Sequence, residues 1–458
     1  MLQLDHQLSL ADTRANLTKL FDIARIKLKT TSDRGILRGK TPVFTVDGEY
    51  VAQGWTEWTQ GFQFGSALLC FDATDDEELL NLGREGTLNA MPSHLTSFGV
   101  HDHGFNNVST FGGLRRLMLE GRIPQNDMEL KLYEQALRVS GAVQAYRWTE
   151  TSDEEGFIYS FNGPHSLFSD TIRSLRALAV AHQLGGDLLD ENDDRVCLLE
   201  RLVEHASVTA RYNVYYGEDR DIYDTSGRVV HESIFNVNDG QYRCPSTQQG
   251  YSPFTTWTRG LAWVMLGFAE QLEFIETLDQ AALEEIGGKE EIQTMMLDAA
   301  IVTSNFYIEN TPTDGVPYWD TGAPGLVAMG DYLDRPSEPV NEYEPVDSSS
   351  AAIAAQAFLR LSTYLKPTDT EASKTYLQAG VAILQTLTSE PYLSLEEGHQ
   401  GLLLHSVYHR PRGWDHISDG GSVPHGESTM WGDYHLLEAG LLAKRMIEEK
   451  PYYTFFNS

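Results

Sequence analysis

Apolar residues recur at helical spacing in several separate stretches of the chain. Over 171–184 the period places Ile172, Leu175, Leu178 and Ala179 on one face, and Gly185-Gly186 stops the run. Residues 260–276 bring Trp263, Leu266, Phe268 and Ala269 to one side, and residues 434–449 form another amphipathic run. The alanine-rich stretch 350–365 is a strong helix former. Strand-like alternation is scarce. It is best around 208–215 and 229–237, which predicts a short hairpin there. There is neither a βαβ alternation nor a Gly-x-Gly-x-x-Gly loop. The predicted fold class is therefore mostly α.

A loop pattern recurs among these helices: an aromatic or polar group, then glycine, then helix. It reads Trp58-Thr-Gln-Gly61-Phe62, His101-Asp-His-Gly104-Phe105, Ser160-Phe-Asn-Gly163-Pro164, Trp257-Thr-Arg-Gly260-Leu261, Trp319-Asp-Thr-Gly322-Ala323 and Trp431-Gly432-Asp433-Tyr434. Successive loops lie roughly 40–60 residues apart, or about twice that, and one helical hairpin fills about such a length. The pattern predicts six hairpins in a ring, each delivering a loop to a common mouth. The alternative is that Trp and Gly merely cap helices. The proline- and acid-rich stretch 310–346 is expected to be a long loop over that mouth. No linker is evident, so one domain over 1–458 is expected, with an N-terminal extension of about 1–50 and a loop insertion at about 325–346.

Composition narrows the function. With 66 acidic and 34 basic residues, the formal net charge of -32 disfavours nucleic acid and anionic membranes as partners. An anionic substrate would then need local positive charge in its pocket. Cys70, Cys197 and Cys244 are far apart, with no Cys-x-x-Cys, which fits a reducing compartment. No apolar run reaches membrane-spanning length, and the start lacks a signal-peptide pattern, so a cytoplasmic location is expected. The sequence leaves the oligomeric state open.

The chemistry concentrates at the glycine loops. His101-Asp102-His103 is tempting as a metal site, but no other cluster has matching ligand spacing and His-Glu-x-x-His is absent. Neither a metal nor another cofactor is expected, and Asp102 reads better as one member of an acid–base pair. Asp170 opens a helix, where a capping carboxylate is common. The upstream turn Phe161-Asn162-Gly163-Pro164-His165 and the neighbour Phe168 point instead to a carboxylate whose pKa is pushed toward neutrality. Arg259 and Trp263 stand four apart on one helix face. A guanidinium fork and an indole face together suit a uronate, although an Arg stacked on Trp for packing alone fits the same spacing.

The ordered motifs resemble glycoside hydrolase family 88, the unsaturated glucuronyl hydrolases, from about Trp55 to Glu438. They are W-T-x-G-F at 58–62, H-D-x-G-F at 101–105, S-F-N-G-P-x-S-L-F-x-D-T at 160–171, Q-G-Y at 249–251 and W-x-R-G-x-A-W at 257–263. P-Y-W-D at 317–320, D-S-S-x-A-A at 347–352, G-L-L-L-H-S-V-Y-H at 401–409 and W-G-D-Y at 431–434 complete the set. The resemblance implies an (α/α)6 toroid of six helical hairpins. It implies an enzyme that hydrates the C4=C5 double bond of the unsaturated uronic acid at the non-reducing end of lyase-generated oligosaccharides, and releases that sugar as a keto acid. By motif match, Asp170 resembles the general acid/base and Asp102 the second essential Asp. Trp148, His231, Gln249, Arg259 and Trp263 resemble substrate-binding positions. Gln248 stands where the family often has His, which puts recognition of the anionic sugar or its sulfate in question. An unsaturated rhamnogalacturonyl hydrolase on the same toroid, a toroidal polysaccharide lyase and a non-catalytic sugar-binding protein are the competing readings. An intact Asp102/Asp170 pair speaks against the last, because binding alone needs no proton shuttle.

Overall fold

The computed structural model describes residues 1–33, 40–54 and 58–456. Trp55, where the family resemblance begins, lies outside the described residues. Among those described, the long helical rods in chain order are α1 (Arg14–Asp33), α2 (Gln60–Thr74), α3 (Glu77–Ala90), α4 (His103–Asn107, a π turn Val108–Gly112, then Gly113–Leu119), α5 (Asp127–Tyr146) and α6 (Thr171–Ser174 continuing as Arg176–Gln183). They continue as α7 (Leu198–Asn213), α8 (Thr258–Glu276), α9 (Lys289–Glu309), α10 (Ser348–Leu365), α11 (Thr370–Leu387) and α12 (Met430–Ile447). None is long and apolar enough to cross a membrane.

The even-numbered rods contact one another in sequence, and α12 returns to α2, closing an inner ring. The odd-numbered rods pack outside: α3 on α2, α5 on α6, α9 on α8 and α11 on α10. The architecture is the (α/α)6 toroid. Burial follows this order. Helices α8, α10 and α12 are buried nearly all round, whereas α5 and α7 bury one stripe. The first residues are not peripheral, because α1 packs against both α2 and α12 as an outer rod.

Local chemistry sets the helix starts. The Asn126, Asp347, Asp369 and Thr429 side chains accept first-turn amides of α5, α10, α11 and α12. Glycine sets how closely the inner rods approach. A Cβ at Gly61 would lie 2.3 Å from the Asn106 carbonyl oxygen, and one at Gly104 would lie 2.4 Å from that of Ser174. The inner interfaces also carry buried charge. Arg173 reaches Glu270 at 2.5 Å and Glu438 at 3.0 Å, and Arg360 reaches Glu273 at 2.6 Å, tying α6, α8, α10 and α12 together.

Three local expectations change. Residues 208–213 are the end of α7, not a strand. The hairpin comprises β6 (Glu232–Phe235) and β7 (Tyr242–Ser246), preceded by β1 (Thr41–Val46), β2 (Glu49–Gln53), β3 (Trp148–Glu150), β4 (Gly156–Ile158) and β5 (Ser166–Phe168), besides the two-residue pair Leu188–Leu189 and Arg195–Val196. The β-branched and aromatic residues of 208–213 bury one face of a rod, and tertiary packing overrides strand propensity. Gly163 does not start a helix, and Gly322 precedes only the short 3-10 turn Pro324–Met329, not an inner rod. Gly163 sits in a turn at φ +118° before β5, and α10 begins instead from the Asp347 cap. The segment 310–346 packs beside Trp257 through a Trp257–Asp320 bridge and contributes no wall to the cavity described below.

Candidate active site

A cavity of about 580 Å³ opens at the N-terminal ends of the inner rods, within the range of small-molecule sites. Its lining includes His101, Asp102, Asp170, Gln248, Gln249, Arg259 and Trp263. Four of the glycine loops deliver residues to it: Trp58, His101 and Asp102, Phe161, and Trp257 with Arg259.

Asp170 stands at the N-cap of α6, yet its side chain makes no capping hydrogen bond. Its Oδ2 lies 3.1 Å from His101 Nε2, and the same nitrogen is 3.8 Å from Asp102 Oδ1. One imidazole therefore stands between two carboxylates, all three buried at the cavity wall. Phe168 meets the His101 ring edge-on at 5.7 Å and lies 4.4 Å from the His231 ring. The aromatic surroundings were expected from the sequence. The histidine in contact is His101, whereas His165 is exposed on the turn.

The ionisation differs from expectation. Burial raises Asp102, and the nearby Asp170 adds to the rise against the pull of His101. Burial would raise Asp170 too, but the His101 hydrogen bond and charge, with His231, bring it below the usual carboxylate range. Burial works against a charged His101, and the two carboxylates outweigh it and raise its pKa. The carboxyl group held toward neutrality is thus Asp102, while Asp170 is paired with an imidazolium.

His231 lies behind Asp170. The pairing of β5 with β6 gains one further rung, Ser169 N–H to the His231 carbonyl at 2.9 Å, which sets the two residues side by side. His231 Nδ1 accepts the Gln248 amide at 3.0 Å, so in the neutral ring Nε2 carries the proton. Burial pushes its pKa down to about 4. Nε2 faces Asp170 Oδ1 at 3.8 Å, and neither atom has a hydrogen-bond partner.

Arg259 lines the cavity, but its donors are taken up by protein acceptors, one of them the Gln249 Oε1 of the cavity wall at 3.4 Å. Nη1 donates to Asp347 Oδ2 at 2.6 Å and to the Val407 carbonyl, and Nη2 donates to the Tyr408 carbonyl at 2.7 Å. Its plane lies between Trp257 and Trp431, 4.7 and 5.1 Å from the ring centroids, not on Trp263. The expectation of a guanidinium fork open to a uronate is corrected: the head is committed to the protein. Trp148 stands apart from these residues. On β3 it packs beneath the Arg201 guanidinium at 4.0 Å and lies outside the cavity lining.

The sequence reading missed the wall built from the 408–414 loop. Tyr408, His409, Arg412 and Trp414 line the cavity there, and the Asp415 carboxylate folds the loop by accepting the amides of Tyr408 and His409. His409 is buried with both ring nitrogens unpartnered, and burial, with Arg259 and Arg412 beside it, lowers its pKa to about 4. Arg412 is exposed and stacks 5.6 Å from Trp414. The G-L-L-L-H-S-V-Y-H motif ends at His409 and was the available signal.

His101, Asp102 and Asp170 offer ligand atoms within 4.8 Å of one another, close enough to bracket a cation. The His101–Asp170 hydrogen bond already occupies two of those atoms, which favours a shared proton in that space.

No family model matches the chain. Curated relatives do. It is 26% identical to an unsaturated glucuronyl hydrolase of Formosa agariphila over 84% of this chain and 79% of that protein. It is 25% identical to an unsaturated glucuronyl hydrolase of Bacillus sp. (strain GL1) over 87% and 89%. It is 24% identical to an unsaturated chondroitin disaccharide hydrolase of Streptococcus agalactiae over 86% and 83%. Among solved structures, an unsaturated glucuronyl hydrolase described as specific for heparin superposes with a TM-score of 0.72 at 20% identity, covering 96% of this chain and 100% of the other. The Bacillus structure superposes with a TM-score of 0.70 at 21% identity, covering 94% and 97%.

Proposed function

We propose that this chain hydrates the C4=C5 double bond of an unsaturated uronic acid at the non-reducing end of glycosaminoglycan-type disaccharides, with Asp170 as the acid/base. The observation that carries the reading is the single imidazole between two carboxylates of opposite pKa shift, at an aromatic-walled cavity. The relatives' names favour it over the rhamnogalacturonyl and lyase alternatives. The three unpaired cysteines fit a cytoplasmic setting.

Asp170 is ionised in the free protein, so it must gain a proton before it can give one. An anionic sugar entering the cavity excludes water and adds negative charge, and both effects raise Asp170. The proton then passes from His101 Nε2 to Asp170, and Asp102, held toward neutrality, keeps the set supplied. Asp170 protonates C4, and positive charge develops at C5 and the ring oxygen. Water adds to C5 and its proton returns to the Asp170 carboxylate. His231 Nε2 and Asp170 Oδ1, facing each other without partners, are placed to hold that water. The C5 hemiketal opens to a ketone, the C1 hemiacetal expels the aglycone alcohol, and one water has been consumed. The reaction needs no oxidant.

The anion is met by the side chains that stay available: Arg412, neutral His409 and the Gln249 amide. Gln248, with its Oε1 unpartnered, occupies the same wall and shapes the choice among sulfated substrates. The test is a panel of lyase-generated unsaturated disaccharides followed by ultraviolet absorbance of the conjugated enoate. Absorbance falls on turnover, without added metal. A rise on intact polysaccharide would instead identify a lyase.

A further inference from the structure

We propose that Asp47, His416 and Glu427 bind one divalent transition-metal ion of the Zn²⁺ class at the rim of the cavity. The site is separate from the proton-sharing residues and stands independently of the reaction proposed above.

The three residues come from three places in the chain. Asp47 is in the turn between β1 and β2, His416 follows the 408–414 loop, and Glu427 precedes the Thr429 cap of α12. Their ligand atoms all lie within 4.8 Å of one another. His416 Nε2, itself closed to solvent and without a hydrogen-bond partner, is 3.2 Å from Oδ1 of the exposed Asp47. The carboxylate is at hydrogen-bond distance but off the N–H direction. Two ligands of one tetrahedral ion, each bonded at about 2.0–2.1 Å, sit about 3.3 Å apart. The pair has that spacing without the alignment of a hydrogen bond.

Glu427 is held as an oriented ligand would be. Its Oε2 accepts from Thr45 Oγ1 at 2.5 Å and from the Gly48 amide at 3.3 Å, which leaves Oε1 for a cation. His399, 9% exposed, brings a further unpartnered Nε2 to 3.8 Å from the same Oε2. One imidazole nitrogen with two carboxylate oxygens selects Zn²⁺-like ions over Ca²⁺ and Mg²⁺, which prefer oxygen alone. Three protein ligands leave a position for water. An ion here would tie the β1–β2 turn to the 408–414 loop. Phe44 on β1 and Arg412 and Trp414 on the loop line the cavity, so the ion would brace its mouth.

The test is calorimetric titration of the metal-stripped, full-length protein with Zn²⁺ alone. One ion per chain is expected. His416→Ala and Asp47→Asn should each weaken binding at least tenfold, while Asp102→Asn, in the other candidate trio, leaves the affinity unchanged. Asp47 sits at φ +51°, a conformation Asn tolerates, so Asp47→Asn tests the ligand without straining the turn. Absence of saturable binding, undiminished affinity in both rim variants, or loss of binding in Asp102→Asn would overturn the site. Equal affinity for Ca²⁺ would overturn its assignment to a transition metal.

Discussion

Arg259 donates to the Asp347 carboxylate at 2.6 Å, and neither side chain is more than 2% exposed. Asp347 also caps α10 through the Ser349 amide, so the pair braces α8 against α10 and holds the carbonyls that begin the 408–414 loop. Arg259→Ala leaves a buried carboxylate without its counter-ion. Loss of about 3–5 kcal/mol of unfolding free energy is expected, read from urea denaturation. Wild-type stability with only a raised KM would restore the role of an open anion-binding fork.

Asp170→Asn should lower kcat by about 10²–10⁴-fold, with the fold and substrate binding retained, and Asp102→Asn should be nearly as severe. Asn keeps the shape of the carboxylate but neither gives nor takes the proton. Rapid-quench turnover alongside equilibrium binding separates the two effects. Retention of more than about a tenth of wild-type kcat by Asp170→Asn would remove it from the chemistry.

His101 links activity and stability to pH. Its raised pKa keeps the imidazolium to higher pH than a free histidine, and turnover falls as pH rises through that value. Stability follows the same signs. The His101 contribution is complete below the unfolded value of about 6.5 and is lost as pH rises through the raised folded value. The Asp170 contribution is complete above about 3.9 and is lost as pH falls through its lowered folded value. The stability difference between wild type and His101→Gln should therefore be largest between roughly pH 4 and 6.5 and shrink on either side. A difference that keeps growing above pH 8 would contradict the pairing.

Arg412 is exposed at the mouth and forms no ion pair with a carboxylate among the described residues. Arg412→Ala should raise KM about fivefold, the scale of an exposed ion pair, with kcat little changed and the effect reduced by salt. A KM insensitive to both the substitution and ionic strength would exclude Arg412 from substrate binding.

Gln248→His should shift preference between sulfated and unsulfated disaccharides, because a titratable ring replaces an uncharged amide in the cavity wall. Identical kcat/KM ratios across the panel would show the position to be silent.

The ring of helices was legible because its causes are local. Apolar spacing marks the buried faces of α6, α8, α10 and α12, and glycines 61 and 104 lie where inner rods approach too closely for a side chain. The motif loops located Asp102, Asp170 and the part of the cavity wall around Trp58 and Trp257 for the same reason: each lies in a short run of residues at a helix start. The charge state of the site was not legible. Asp170 is 69 residues from the histidine that ionises it, and Arg259 is 88 residues from the carboxylate that turns it away from the cavity. A pKa or a guanidinium direction depends on through-space distances of a few ångströms between groups remote in sequence. Helix period and loop composition do not encode those distances. Closure of the ring brings His101 between two carboxylates and sets Asp347 beneath Arg259.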